Sequence, residues 1–106
     1  MDLTAYRPQL KKANEFMQKL GIAYMDWKAE NIGFSAEGIP KVFDFNMCGL
    51  YNPKTSIFTE ITEPKSYFWR KAIEAGMNTP VEIANWIFNS MFEPSEETIN
   101  EPSEET

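Results

Sequence analysis

The chain has 106 residues, enough for one domain with a modest core, and its 42% hydrophobic and 14% aromatic content suits a globular protein. The net charge of −6 belongs to the end of the chain: six of the sixteen acidic side chains lie in the last fourteen residues, EPSEETINEPSEET, leaving residues 1–92 with ten acids against ten bases. A neutral body without a basic run excludes nucleic acid and acidic membranes as expected partners, the single Cys48 excludes an internal disulfide, and the lack of histidine removes the usual zinc sites and His-based triads.

From Tyr6 to Leu20 the apolar residues Tyr6, Leu10, Ala13, Phe16, Met17 and Leu20 recur at intervals of three and four, which predicts an amphipathic helix. Pro8 is tolerated near its start, and Gly21 is expected to stop it in a left-handed conformation. The brief run Ile22–Tyr24 predicts a strand. Two further apolar runs, Ile32–Phe34 and Lys41–Phe43, flank SAEGIP, whose Ser, Gly and Pro favour a turn, so an antiparallel hairpin is expected. The segment NMCGLYNPKTS after Asp44 is rich in turn formers and reads as irregular. A second helix is expected over residues 65–75, closed by Gly76. A third opens at Thr79-Pro80-Val81-Glu82, where a capping-box pattern meets proline at the first helical position. Val81, Ala84, Ile87 and Met91 form its apolar face, and Pro94 ends it.

Residues 93–106 contain EPSEET twice and have almost nothing to bury, so they read as a disordered acidic tail after a folded unit spanning 1–92. The N-terminus has no signal-like apolar core, and no run approaches a membrane span. With its lone thiol, the chain is expected to be soluble and cytoplasmic.

The stretch YMDWKAENIGF is unusual because polar residues interrupt an apolar run. Antiparallel pairing of the expected hairpin brings its outer ends, Asn31 and Asp44, side by side at one edge of a small sheet, with Asp26 on the loop leading in. Oxygen ligands in that number suit a hard cation such as Mg²⁺, which takes one or two protein carboxylates and completes its shell with water and phosphate. Singly, Asp26 and Asn31 have plainer readings as turn residues, Lys28 as a solvated charge and Asp44 as a strand terminator. Their joint spacing is what the plainer readings leave unexplained. Trp27, Phe43 and Phe45 are expected in the core, and Cys48 as a small, half-buried thiol.

Asp26-Trp27-Lys28-Ala29-Glu30-Asn31 resembles the catalytic loop of eukaryotic-type serine/threonine protein kinases, written H-R-D-L-K-P-E-N, and Asp44-Phe45-Asn46 resembles their D-F-G metal motif. The likeness covers about residues 6–50. It implies an α+β, mainly α fold, a kinase large-lobe fragment with a small antiparallel hairpin. It implies transfer of phosphate from Mg²⁺-ATP to protein hydroxyls, with Asp26 orienting the attacking hydroxyl and accepting its proton, and Lys28 meeting the transferring phosphate. Asn31 and Asp44 would hold magnesium, and Glu30 would lie near a peptide substrate. Tyr24 and Met25 stand at the His-Arg positions, so control by a loop phosphate is not expected, and Asn46 stands for the motif's glycine. No G-x-G-x-x-G loop or V-A-I-K lysine occurs, so the isolated chain is expected to be weak or inactive until a partner kinase or amino-terminal lobe supplies the nucleotide's roof. Two alternatives share these residues: a non-catalytic, kinase-mimicking inhibitory module, and a small-molecule kinase of the aminoglycoside-phosphotransferase type, which DFNMCGLYNP also resembles.

Overall fold

The computed structural model describes residues 3–62 and 65–92; the expected tail and the Pro94 stop lie outside these. A 3-10 turn at Thr4–Tyr6 leads into helix α1, Arg7–Lys19, with Pro8 in its first turn. Gly21, at φ +82°, ends the helix and turns the chain into strand β1, Ile22–Tyr24. Only glycine suits this corner: besides the positive φ, a Cβ there would collide with the backbone carbonyl of Tyr51. Leu10, Asn14 and Met17 form the buried stripe of α1. Phe16 and Leu20, expected on that stripe, are instead exposed at 63% and 61%. Each helical residue advances about 100°, and the stripe through 10, 14 and 17 leaves 16 and 20 on the solvent side.

The hairpin forms as expected, with β2 at Ile32–Phe34, β3 at Pro40–Val42, and Ile32 opposite Val42. Its turn is closed by the Ser35 hydroxyl, which accepts from the backbone N–H groups of Glu37 and Ile39, both at 3.2 Å. The segment after Asp44 corrects the sequence reading. It is not irregular: a 3-10 turn at Phe45–Met47 runs into β4, Cys48–Asn52, and after a turn into β5, Ile57–Glu60. These strands and β1 make a three-stranded antiparallel sheet ordered β1-β4-β5. Gly49 permits it, because the Phe58 ring lies where a side chain on Gly49 would stand.

Helix α2, Tyr67–Glu74, begins after Ser66, whose hydroxyl accepts from the Trp69 N–H at 3.2 Å and donates to the Met25 carbonyl at 3.2 Å. Gly76, at φ +99°, follows its end. Helix α3, Pro80–Phe92, opens on the expected reciprocal cap: the Glu82 N–H donates to the Thr79 hydroxyl, and the Thr79 N–H donates to the Glu82 carboxylate. Its buried face is broader than expected, adding Pro80, Ile83 and Phe88 to Ala84 and Ile87. Helices α1 and α3 both pack on β1, and the core centres on Trp27, Trp69, Tyr24, Leu10 and Met25. The molecule is thus an α+β domain of three helices and two small antiparallel sheets, richer in sheet than the sequence led one to expect. No described helix is long and apolar enough to cross a membrane.

Candidate functional site

Strand β1 delivers Tyr24 and Met25 into the core, both fully buried, and Asp26 follows them, still buried. Trp27 then turns back inward, where its ring meets Tyr24 and Phe88 edge-on at centroid distances of 4.9 and 5.0 Å. Its indole N–H donates to the Asn14 side-chain oxygen at 3.3 Å, and the Asn14 amide donates to Asn85 at 2.9 Å. Gln18 donates to the same Asn85 oxygen at 2.9 Å. Side chains from α1 and α3 therefore clamp the residue between Asp26 and Lys28. This network was not foreseen, although Asn14 carried a signal: a polar residue four after Leu10 and three before Met17, on an otherwise apolar stripe.

Asp26 is 9% exposed and Asn31 7%. Burial of polar groups on this scale requires hydrogen-bond partners, and the two residues supply them to each other. The Asn31 side-chain nitrogen donates to the Asp26 carboxylate at 2.8 Å and to the Asp26 backbone carbonyl at 2.9 Å. The 3-10 turn Ala29–Asn31 shortens the loop enough for this reach. Lys28 is partly exposed, with its ammonium 3.8 Å from the other Asp26 oxygen. Glu30, in the same turn, is exposed to solvent.

Asp44 arrives from the other strand. The Phe43 N–H donates to the Asn31 carbonyl at 2.8 Å, extending the hairpin ladder by one step and bringing Asp44 to the edge where Asn31 sits. The Tyr24 hydroxyl donates to the Phe43 carbonyl at 2.6 Å and fixes this point from below. Asp44 itself adopts φ 62°, ψ 82°, a left-handed conformation that non-glycine residues seldom take, and its carboxylate accepts from the Asn46 N–H at 3.3 Å. Such outliers concentrate where a side chain is aimed for a purpose.

The field of these carboxylates reaches Tyr24 and Cys48. Burial, then Asp26 and, more weakly, Asp44 raise the Tyr24 phenol well above its usual range. The Cys48 thiol is pushed up to about 11 by burial, then by Asp26 and Asp44. Cys48 is half-buried, as expected, and too weak an acid to act as a nucleophile near neutrality.

Phe43 and Phe45, expected in the core, are exposed at 55% and 52%. Both flank Asp44: Phe43 lies on the outer side of the hairpin with its ring over Gly33, and Phe45 lies in the 3-10 turn that follows. Trp27 is in the core as expected. On the far side of Lys28, a cavity of about 560 Å³ is lined by Leu3, Trp27, Phe68, Ile87 and Met91 among others.

Among the described residues, no group of three or more His, Cys, Asp or Glu side chains could hold a metal ion. The donors near the hairpin edge are one exposed carboxylate, Asp44, and the oxygen of an amide whose nitrogen is committed to Asp26. That set fits Mg²⁺ carried in on a polyphosphate, with phosphate and water completing its shell, and does not fit a resident metal held by protein alone. Compared with family models, curated proteins and solved structures, the chain finds no match.

Proposed function

We propose that the chain is a catalytic segment resembling the large lobe of serine/threonine protein kinases, built to transfer phosphate from Mg²⁺-ATP to a protein hydroxyl. The observation that carries this reading is the double bond-set of Asn31: its side chain holds Asp26, while its backbone carbonyl accepts from Phe43 and draws Asp44 to the same edge.

Phosphoryl transfer needs positioning and charge neutralisation more than covalent chemistry. When bound with ATP, Mg²⁺ neutralises charge on the phosphate oxygens. The protein's part falls to five residues. Asn31 and Asp44 hold the metal–phosphate unit at the hairpin edge. Asp26, clamped by Asn31 and shielded from water, orients the attacking hydroxyl and accepts its proton. Lys28, already near Asp26, swings its ammonium toward the transferring group. Glu30, exposed one turn away, meets the peptide that bears the hydroxyl. The setting is cytoplasmic, and the partners are a protein substrate and a partner kinase or amino-terminal lobe that covers the nucleotide; the chain alone is weak or inactive.

A second reading, a non-catalytic kinase mimic, draws on the exposed face of the three-stranded sheet. There Phe45 and Leu50 border a recess of about 330 Å³ with Ile22, Cys48, Glu60 and Thr62. Titration calorimetry separates the two. The catalytic reading expects binding of ATP with Mg²⁺ that disappears in Asp44→Ala, and no binding at millimolar nucleotide would overturn it for this chain. Capture of an intact kinase, undiminished by Asp26→Ala, would favour the mimic.

A further inference from the structure

The solvent side of α1 is not the polar surface that an outer helix face usually presents. Phe16 and Leu20, one turn apart and 63% and 61% exposed, adjoin there as an apolar pair. At about 100° per residue, Lys12 and Lys19 fall within about 60° of Phe16, on the same side. Both lysines are exposed and form no ion pair among the described residues, while Lys11 is matched by Glu15 at 2.6 Å. A positive charge therefore stands before and after the exposed phenyl ring. An isolated apolar side chain at a surface is ordinary, but adjoining ones bordered by charge of one sign mark a face that something covers.

Charge decides the occupant. A second α1 laid on the first would press lysine against lysine, which penalises self-pairing of this face. The chain itself carries the complement: residues 93–106, outside the described residues, hold six acids and one large apolar side chain, Ile99, with Glu96 and Glu97 before it and Glu101 after it. Helices α1 and α3 run antiparallel, since Asn85 meets Asn14 and Gln18, Asn89 accepts from Arg7 at 2.7 Å, and the Arg7 guanidinium lies 5.5 Å from the centre of the Phe92 ring. The end of α3 is thus beside the first residue of α1. Ile99 is seven residues past Phe92, a reach of up to about 24 Å, while Phe16 lies about 14 Å along α1 from Arg7 and one helix width, about 10 Å, around it. We propose that the acidic segment 93–106 folds back onto α1 of the same molecule, with Ile99 covering Phe16 and Leu20 and the flanking glutamates beside Lys12 and Lys19. A short tether gives an effective concentration on the order of millimolar, so contacts too weak to hold a separate peptide suffice. This docking draws on nothing in the phosphotransfer reading.

The experiment attaches a nitroxide to Ser103→Cys in the full chain, with Cys48→Ser, and reads paramagnetic broadening of the backbone amides by NMR. Signal loss is expected to concentrate at residues 12–20 and to vanish at about 1 M salt, where screening sets in beyond ~3 Å. Ile99→Ser should weaken it, and Lys12→Gln combined with Lys19→Gln should remove it; circular dichroism checks that each variant is folded. A measurement without the label or the Cys48 change repeats the test: Ile99→Ser alone should shift the amide signals of residues 12–20. Broadening spread evenly over the surface, or undiminished by the Ile99 and lysine variants, would overturn the docking, as would amide signals of α1 that stay in place in Ile99→Ser. Labelled chains mixed with unlabelled, isotope-enriched chains separate the remaining occupant. Broadening of the enriched chains as strong as within one molecule would give the face to the acidic segment of a second copy and overturn the fold-back.

Discussion

The side-chain nitrogen of Asn31 donates twice to a single residue, Asp26, at 2.8 Å to its carboxylate and 2.9 Å to its backbone carbonyl. Both residues are buried, five positions apart, with Lys28 partly exposed between them. The pair closes the loop as a structural staple and holds the Asp26 carboxylate in one orientation.

Asn31→Ala removes both bonds and leaves a buried carboxylate without its amide donor. The expected loss of stability is about 1–3 kcal/mol, the usual cost of an abandoned buried polar group. Urea unfolding measures it, and an unchanged midpoint would show that the staple carries no load in solution. The same variant should lose Mg²⁺-ATP binding, because the amide oxygen goes with the nitrogen.

Asp44 should trade stability against binding. Its left-handed backbone is strained for any residue with a Cβ, less so for Asp than for Ala. Asp44→Gly relieves the strain and is expected to match or exceed wild-type stability, by up to about 1 kcal/mol, while Asp44→Ala should fall below wild type by a similar amount. Both should lose Mg²⁺-dependent nucleotide binding. Thermal melts ordered Gly, wild type, Ala would bear out the strain; the order Ala above Gly would contradict it.

Cys48 offers a pH readout of the site's charge. Its thiol is shifted from an ordinary value of 9.0 to about 11, with burial the largest cause and Asp26 and Asp44 next. The folded state therefore prefers the protonated thiol. This contribution to stability is complete below pH 9 and is lost as the pH rises from 9 toward 11, because the unfolded chain ionises first. Alkylation of native protein should be slow at pH 8, with a rate midpoint near 11, and Asp26→Asn should move that midpoint down. A midpoint near 9 in the native protein would contradict the burial.

The helices and the hairpin were legible because their signals are local. Thr79 and Glu82 cap each other within one turn, Gly21 marks a positive φ, and Ser35 closes a five-residue turn with its own hydroxyl. The spacing of Asp26, Lys28, Asn31 and Asp44 was legible for the same reason, and the hairpin ladder, with the Phe43 N–H on the Asn31 carbonyl, puts Asp44 one residue past the position opposite Asn31. Strands β4 and β5 were not legible. The segment around β4, NMCGLYNPKTS, is rich in turn formers, and what makes Cys48–Asn52 a strand is pairing with β1 some twenty-six residues earlier, plus the fit of the Phe58 ring over Gly49. Phe43 and Phe45 misled because hydrophobic residues read as core wherever they stand. Strand register, invisible in a one-letter code, sets Phe43 on the outer side of the hairpin over Gly33, and Phe45 follows the left-handed Asp44 in a 3-10 turn.

The Asn14–Asn85 bridge to Trp27 ties the fate of the loop to that of the helices. Detaching this indole would strand its N–H and the side-chain oxygen of the buried Asn14 at once, so the loop has no cheap way to fray by itself. Asp26 and Lys28 are thus denied a separate melting transition. Heat or denaturant should abolish ligand recognition and helical signal along one and the same curve.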